Sequence, residues 1–360
     1  SALYGLKPSS ASLSGENDPL NPQTLPANDF LLSHILGEGG MGRVYSGIQT
    51  CLNREVALKV SKVDDQDARL VAQVFHEAQI TANLDHPNIL PVYLLAFDEE
   101  QRPIQVMKKI IGVTWSQLLA EPNHEMWAQL DYSAGRLRFH LDILAQVCQA
   151  VSYAHDHKVI HRDLKPENVM IGRFGEVFVL DWGVSLYLPA IDSTLGDTDY
   201  HAQVSSGLDA ALVGTPAYMP REMAQCDVSL LGAWTDVYLL GAILYEILCG
   251  VRIRPNTDLK QLFSNIMNGI IPNIPNEVSE EFKSLLLASL DPNIDNRIEN
   301  GHSFRKLLKH AMRTDRAAQV QRKAQQLSLT LERSLLDKNH NENDLSLLYD
   351  EARLAYRTSL

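Results

Sequence analysis

A run of glycines near the start of the chain has the spacing of a loop that could close over phosphate groups. Gly37, Gly39, Gly42 and Val44 follow the pattern GxGxxGxV between two apolar segments of strand character. Small residues let backbone amides come close to phosphate oxygens. A dinucleotide-binding loop is followed by a helix, whereas residues 43–48 continue as a strand, so the pattern disfavours NAD. A tight turn between two strands is the alternative interpretation.

A lysine and a glutamate further along could form an ion pair near this loop. Residues 56–59 (VALK) end in Lys59, whose ammonium would lie among apolar side chains and would need a counter-ion. Glu77 lies eighteen positions later, within residues 66–84, where apolar side chains recur at helical spacing. Glu77 could hold the Lys59 ammonium against phosphate oxygens. Solvent exposure at a strand end is the alternative for Lys59.

The strongest chemical signal is an eight-residue run in the middle of the chain. Residues 161–168 read HRDLKPEN, and Asp181 follows Asn168 by thirteen residues in the triplet Asp-Trp-Gly. With the glycine run, Lys59 and Glu77 in this order, these residues resemble the motifs of the eukaryotic-type (Hanks-type) serine/threonine protein kinases, in their bacterial form. The resemblance extends over about residues 30–310.

The resemblance implies a role for each residue of the run. Asp163 would accept or orient the proton of the substrate hydroxyl. Asn168 and Asp181 would hold the magnesium ions that bridge the phosphates of ATP, with manganese as an alternative metal. Lys165 would contact the γ-phosphate as it moves. A lysine at this position is typical of serine/threonine kinases and not of tyrosine kinases.

The resemblance also outlines a nucleotide pocket. Met107 would be the gatekeeper at the rear, and Lys108, Lys109 and Ile110 would form the hinge that binds the adenine base through backbone groups. The residues predicted to bind ATP are Gly37, Gly39, Gly42, Val44, Ala57, Lys59, Met107, Lys109 and Met170. Plain core packing is the alternative for the apolar members of this set.

Residues that follow Asp181 resemble the family's substrate-docking loop and its structural anchors. Thr215, in the run GTPAYM (214–219), would hydrogen-bond Asp163 and Lys165. Asp236 would anchor the catalytic loop, residues 161–168, from a buried helix. Arg297 would pair with Glu222, the acid that closes the activation segment.

Three positions depart from the family pattern. Pro220-Arg221-Glu222 replaces the usual Ala-Pro-Glu, which keeps the acid but alters the turn before it. Trp182 replaces the common phenylalanine, and its ring could still pack against His161. Thr81 stands where an apolar side chain is usual, which could loosen the position of its helix.

The activation segment, residues 181–222, is long for the family and contains several hydroxyl side chains. Because Arg162 precedes Asp163, the resemblance implies that a phosphate on this segment could pair with the Arg162 guanidinium and order the segment. The candidate phosphorylation sites are Ser193, Thr194, Thr198, Ser205 and Ser206. An unmodified polar loop is the alternative.

The elements that must position these residues fall into two groups. From residue 30 to 111, five short apolar runs separated by turns predict strands, with the helix of residues 66–84 inserted between the third and fourth. After residue 115, helical periodicity dominates, and residues 121–137 have no clean period and predict a loop insertion. The predicted class is α+β, a two-lobed protein-kinase fold with a β-rich N-lobe, a mostly helical C-lobe and a C-terminal helical extension.

The chain divides accordingly into four predicted parts. We predict a loose lead-in (1–28), an N-lobe (29–111), a C-lobe (112–310) and a helical hairpin (311–360). The hairpin cannot bury both of its faces alone, so it either packs on the kinase as a terminal brace or begins a helical-repeat array. It could also bind a partner or mediate self-association.

Composition limits the partners. The net charge of −12 disfavours nucleic acid, and the longest apolar stretch, residues 237–251, is too short for a membrane helix. Four scattered cysteines without a CxxC pair disfavour zinc and disulfides, and reduced thiols favour the cytoplasm. A membrane span beyond residue 360 is left open.

The predicted function is that of an ATP-dependent serine/threonine protein kinase that phosphorylates protein substrates and its own activation loop. The alternatives are a kinase-like scaffold without catalysis, which binds partners through its C-terminal helices, and a small-molecule kinase of related fold. Scaffolds of this kind generally lose Lys59, Asp163 or Asp181, and this chain keeps all three.

Overall fold

The computed structural model describes residues 30–39, 42–61, 68–97, 102–188, 213–255, 258–315 and 330. The predicted lead-in, the five candidate phosphorylation sites and most of the predicted C-terminal hairpin lie outside these residues.

The first lobe is a five-stranded antiparallel sheet with one helix. Its strands are β1 (Phe30–Gly39), β2 (Gly42–Gln49), β3 (Arg54–Ser61), β4 (Val92–Phe97) and β5 (Pro103–Lys108), in the spatial order β1-β2-β3-β5-β4. Helix α1 (Ala68–Asn83) lies in the chain between β3 and β4. The five predicted strands and the inserted helix are therefore present.

Alternation along β3 explains how the sheet presents a charged group to the cleft. Val56 and Leu58 point to one face and pack with Val106 of β5, and both are nearly inaccessible to solvent. Ala57 and Lys59 point to the opposite face, because side chains alternate along a strand. Lys59 thereby lies on the same face as Ala57, which packs with Met107.

The second lobe is mostly helical and is built around one buried helix. Its helices are α2 (Trp115–Ala120), α3 (Arg136–Asp156), α4 (Arg221–Ala224), α5 (Ala233–Cys249), α6 (Leu259–Met267), α7 (Glu280–Leu290) and α8 (301–315). Residues 235–245 of α5 are all buried, because α3 and α7 pack against this helix. The apolar stretch 237–251 therefore lies in a core helix as far as residue 249, as predicted from its length, and its last two residues follow the end of the helix.

Short strands frame the catalytic segment. β6 (Gly112–Thr114), β8 (Val169–Gly172) and β9 (Val177–Val179) form one antiparallel sheet, and β7 (Val159–Ile160) pairs with β10 (Leu186–Tyr187). Asp163 lies in the loop between β7 and β8, and Asp181 lies in the loop between β9 and β10. The sheet pairings hold both loops close to the cleft between the lobes.

The predicted loop insertion at 121–137 contributes to the core. Residues 125–129 form a 3-10 turn in which Met126 and Trp127 are buried, and the Trp127 ring meets His140 edge-on at 5.6 Å between centroids. Trp115 Nε1 donates to His140 Nδ1 at 3.0 Å, and burial lowers the pKa of His140 to about 4. A single 3-10 turn has too few residues to show a period in the sequence. Its buried Trp127 nevertheless packs against α3 through His140.

The predicted α+β, two-lobed fold is confirmed. Within the described ranges, no helix has the length and apolar character needed to cross a bilayer.

Candidate active site

Lys59 and Glu77 meet as an ion pair between the sheet and helix α1. The Lys59 ammonium lies 2.7 Å and 2.8 Å from the two Glu77 carboxylate oxygens. Both side chains are largely buried, at 18% and 6% exposure. Burial alone would lower the pKa of Lys59, but the charges of Glu77 and Asp181 together raise it above the ordinary value. Lys59 is therefore a fixed cation that faces the cleft.

Asp181 brings a second carboxylate to the same ammonium. Burial, opposed by Lys59 and reinforced by the like charge of Asp181, raises the pKa of Glu77. A side-chain carbon added at Gly183 would lie 3.2 Å from both Asp181 Oδ1 and Glu77 Oε2, so a glycine leaves room for the two carboxylates to converge. The two acids and one ammonium leave a net negative charge that suits a metal ion.

Asp163 is held by a lysine and a threonine that also contact each other. Lys165 Nζ lies 2.7 Å from Asp163 Oδ2, and Thr215 Oγ1 donates to Asp163 Oδ1 at 2.8 Å. Lys165 Nζ also donates to Thr215 Oγ1 at 2.6 Å. Thr215 is fifty-two residues from Asp163 in the chain, and the predicted hydrogen bonds to Asp163 and Lys165 are both present. This triangle fixes the direction in which the Asp163 carboxylate faces the cleft.

Two hydrogen bonds donated by the side-chain amide nitrogen orient Asn168. Nδ2 donates to the Asp163 carbonyl at 2.8 Å and to Asp163 Oδ2 at 3.0 Å. The amide oxygen remains as the atom that can ligate a cation. With the Asp181 carboxylate it forms a set of hard oxygen donors, and magnesium is commonly held by one or two protein groups together with phosphate oxygens and water. The residues at this site therefore fit a divalent metal.

Asp236 anchors the catalytic loop from helix α5. Its Oδ2 accepts from the backbone amide of His161 at 2.8 Å, and its Oδ1 accepts from the amide of Arg162 at 2.9 Å. His155 also donates from Nε2 to Asp236 Oδ2 at 2.9 Å, because its Nδ1 accepts from the amide of Gly301 at 3.2 Å. Burial alone would raise the pKa of Asp236, but these hydrogen bonds, led by His155, hold it below the ordinary value.

The substitution of tryptophan at 182 keeps the contact with the catalytic loop. The Trp182 and His161 rings lie 4.6 Å apart between centroids, and both residues are almost inaccessible to solvent. His161 Nε2 bonds the carbonyl of Leu180 at 3.0 Å. Thr81, the other departure on this side, is buried and donates to the Glu77 carbonyl at 2.7 Å, which satisfies its hydroxyl within α1.

The structure describes Arg162 but none of the candidate phosphorylation sites. Arg162 is 1% exposed, has a left-handed φ of +67°, and donates from Nε to the carbonyl of Val184. The five candidate sites lie outside the described residues, so a pairing between a phosphate and Arg162 stays a prediction.

The apolar residues predicted to bind adenine gather into one wall of the cleft. Ala57 and Met107 form a cluster with Leu90 and Phe178, and Val44 packs against it. Met170 of β8 lies opposite Phe178 in the sheet register. At Gly37, an added side-chain carbon would meet no atom within 4 Å. Gly39 pairs with Gly42 at the tip of the β1–β2 hairpin.

The two hinge lysines have separate partners in the two lobes. Lys109 Nζ lies 2.8 Å from Glu55 Oε1 on β3. Lys108 Nζ lies over the Phe178 ring of β9, 4.4 Å from its centroid. Each lysine thus ties the hinge to one side of the cleft, which accounts for two adjacent cations in an acidic chain.

Glu222 and Arg297 form a buried pair behind the docking loop. Arg297 Nη1 donates to Glu222 Oε1 at 2.5 Å, and the two side chains are 0% and 3% exposed. Arg297 also donates to the carbonyl of Asp291 at 2.9 Å. The altered turn at Pro220 therefore leaves the closing acid in its pair.

Sequence reasoning missed four contributors to this site. Each has a partner far away in the chain, and no local period marks any of the four. His155 supports Asp236, and Glu55 holds Lys109. Arg254 donates to the Met219 carbonyl at 3.1 Å, and Gln73 donates to the Gly183 carbonyl at 3.2 Å.

A sheet lobe with an ion-paired lysine, facing a helical lobe with an oriented aspartate and two oxygen donors, defines a phosphotransferase of the two-lobed class. A family model described as a protein kinase domain matches residues 30–312. Because the match covers more than half of the chain, the chain belongs to the protein kinase family.

Curated relatives are similar to the kinase part of this chain. The serine/threonine-protein kinase PknD of Protochlamydia amoebophila is 34% identical over 223 residues, 59% of this chain and 22% of the relative. PknD proteins of Chlamydia trachomatis serovar D and Chlamydia muridarum are each 36% identical over 61% of this chain and 24% of the relative. The chain therefore spans less than a quarter of the length of these relatives. The predicted resemblance to bacterial serine/threonine kinases is confirmed, and the family as a whole uses ATP and a divalent metal.

Proposed function

We propose that this chain is an active, magnesium-dependent kinase that transfers the γ-phosphoryl group of ATP to serine or threonine hydroxyls of proteins. The observation that carries this proposal is the triangle of Asp163, Lys165 and Thr215, which orients one carboxylate toward the cleft. The fixed Lys59 ammonium faces the cleft from the other lobe. Family membership supports the reaction class, and this geometry supports its operation in this chain.

The residues divide the reaction between binding and positioning. Lys59, held by Glu77, would bind the α and β phosphates, and the wall around Ala57 would take the adenine. Asp163 would orient the substrate hydroxyl and take its proton as the new oxygen–phosphorus bond forms and the bond to ADP breaks. Lys165 would offset the charge on the moving phosphoryl group.

A magnesium ion at Asn168 and Asp181 would neutralise charge on the phosphates. Manganese is the alternative, because it also prefers oxygen ligands. The amide and carboxylate oxygens of these two side chains would hold the ion, and the hydrogen bonds of Asn168 to Asp163 keep the side chains of Asn168 and Asp163 in a fixed relation.

The remaining parts of the proposal concern residues outside the described ranges and the setting of the protein. We propose autophosphorylation at the candidate hydroxyls of the activation segment, residues 181–222, and a role in partner binding or self-association for residues 311–360. Phosphopeptide mapping after incubation with ATP tests the first, and light scattering of the full chain and of a form ending at 315 tests the second. The four cysteines are free thiols, which supports a cytoplasmic setting.

Transfer of radiolabelled phosphate to a generic protein substrate tests the central proposal. Asp163→Asn should lower the rate about 10²- to 10⁴-fold, because the amide cannot accept the proton. The variant should still bind ATP with magnesium, measured as a rise in melting temperature, since Asp163 is not among the phosphate-binding groups.

The controls separate the alternatives. Chelation of divalent ions should abolish transfer, and magnesium should restore it. A wild-type chain that binds ATP but transfers no phosphate would refute the proposal in favour of a scaffold. Transfer to small molecules but to no protein would place it among the small-molecule kinases.

A further inference from the structure

A charged cluster lies beside the catalytic loop and takes no part in the roles proposed so far. It consists of Glu167, Glu246, Arg252 and Tyr218, and we call it the acidic cluster. Glu167 follows Asp163 by four residues, and Tyr218 lies three residues after the threonine that bonds Asp163. The cluster therefore joins the catalytic loop, the docking loop and helix α5 near the point where a substrate hydroxyl must approach.

The contacts of the cluster converge on one guanidinium. Arg252 Nη2 donates to Glu167 Oε1, and Arg252 Nε lies 3.8 Å from Glu246 Oε1. The Tyr218 hydroxyl donates to Glu246 Oε2 at 2.5 Å, and the guanidinium carbon lies 5.8 Å from the centre of the Tyr218 ring. Two carboxylates share one arginine, so these four side chains keep a net negative charge.

With Arg252 in place, one carboxylate oxygen of the cluster still lacks a hydrogen-bond donor. Glu167 Oε2 is a buried oxygen without a hydrogen-bond partner. Burial raises the pKa of Glu246, and the hydrogen bond from Tyr218 and the charge of Arg252 oppose that rise. Removal of Arg252 would leave two carboxylates close together beside the phosphoacceptor position, with a strong preference for any cation that could reach them.

The backbone on both sides of Arg252 is fixed, which holds the arginine over the cluster. Gly250 ends α5 in the left-handed region, with φ +71°, and its amide donates to the Glu246 carbonyl at 2.9 Å. Ile253 is 1% exposed, and Arg254 donates to the Tyr238 hydroxyl at 2.5 Å and to a docking-loop carbonyl. Arg252 itself is 38% exposed, so an approaching peptide can meet it.

We propose that Arg252 is a specificity-determining residue. Its guanidinium occupies the acidic cluster, so that a basic side chain beside the phosphorylated serine or threonine does not raise kcat/KM for the peptide. The inference rests on the proposed function, because peptide specificity requires peptide phosphorylation. An extended peptide advances about 3.3 Å per residue, so side chains close to the acceptor can reach the cluster. An incoming arginine would have to displace a guanidinium that the chain already holds in place, and its charge would be repelled by that guanidinium.

Arginine scanning of a peptide substrate tests the proposal. A neutral peptide with one serine receives a single arginine at each flanking position in turn, and kcat/KM is measured for the full chain. We expect the wild-type values to stay within about twofold of the neutral peptide, since no free carboxylate pair is offered. In Arg252→Ala, at least one position should give a gain of about tenfold, the size of a charge-assisted hydrogen bond. Adding Glu167→Gln to this variant should cancel the gain.

A matched control uses another partly exposed arginine in an ion pair. Arg138 is 36% exposed and lies 2.8 Å from Asp142 on the surface of α3. Arg138→Ala should keep the wild-type profile. Arg252→Gln, which retains part of the stem over the Tyr218 ring, provides a second variant if the alanine form does not fold.

Each outcome supports or overturns the proposal. A marked wild-type preference for arginine overturns it, and so does a flat profile in both Arg252 variants. A wild-type preference for acidic peptides that Arg252→Ala abolishes also overturns it, because the guanidinium would then be the substrate contact. Absence of transfer to every peptide by the wild-type chain refutes the proposed function itself, which distinguishes that failure from a wrong profile in an active kinase.

Discussion

Removal of the Thr215 hydroxyl isolates the positioning of Asp163 from the binding of ATP. In Thr215→Val the side chain keeps its shape but loses two charge-assisted hydrogen bonds, at 2.8 Å to Asp163 and 2.6 Å from Lys165. Such bonds are worth about 1.5–3 kcal/mol each, and the direct contact of Lys165 with Asp163 at 2.7 Å persists. We therefore expect a net loss of about 2–3 kcal/mol in transition-state stabilisation, or about 30- to 150-fold in kcat/KM for the peptide.

Steady-state kinetics with separate variation of ATP and peptide measures this loss. The KM for ATP should stay within about twofold, because the hydrogen bonds of Thr215 run to the catalytic loop and not to the glycine loop or Lys59. Thr215→Ser restores the hydroxyl and should recover most of the rate. A valine variant within about threefold of wild type, or a serine variant as slow as the valine variant, would refute the reasoning.

Two further predictions concern stability and the hinge. Burial lowers the pKa of His140 to about 4, so as the pH falls the unfolded chain, with a histidine pKa near 6.5, takes up the proton first and the fold loses stability. The free energy of unfolding in urea should fall by about 2 kcal/mol between about pH 7.5 and pH 5 from this group, and His140→Gln, which keeps an acceptor for Trp115, should remove that part. Lys109→Met should raise the KM for ATP about two- to fivefold with kcat unchanged, and Glu55→Gln should have the same effect. The double variant should show no larger rise in KM than either single variant, because both changes break the same ion pair. An additive double variant would contradict this.

The contacts among the charged and polar residues of the cleft could be predicted from the sequence because each group lies in a short motif. Lys59 ends an alternating strand, and Glu77 lies on a strongly periodic helix, so their types and order already indicated an ion pair. Asp163, Lys165 and Asn168 share one run of eight residues, and their mutual contacts depend mostly on local backbone geometry.

The partners that the sequence did not reveal depend on register and on the ends of elements. Glu55 meets Lys109 only because β3 pairs with β5 in one register, in which Val56 lies opposite Lys108. Arg252 reaches Glu167, eighty-five residues away, because of the turn that follows α5. Such contacts follow from how elements pack, and no spacing within either segment encodes them.

The hydrogen bond from Gly301 to His155 makes the start of helix α8 part of the support of the catalytic loop. The amide of Gly301 fixes the His155 tautomer, His155 restrains Asp236, and Asp236 holds the two amides that precede Asp163. A chain shortened to end before residue 301 would lose the first link of this series, although every motif residue would remain. The start of α8 is thus joined by consecutive hydrogen bonds, through His155 and Asp236, to the backbone that directly precedes Asp163.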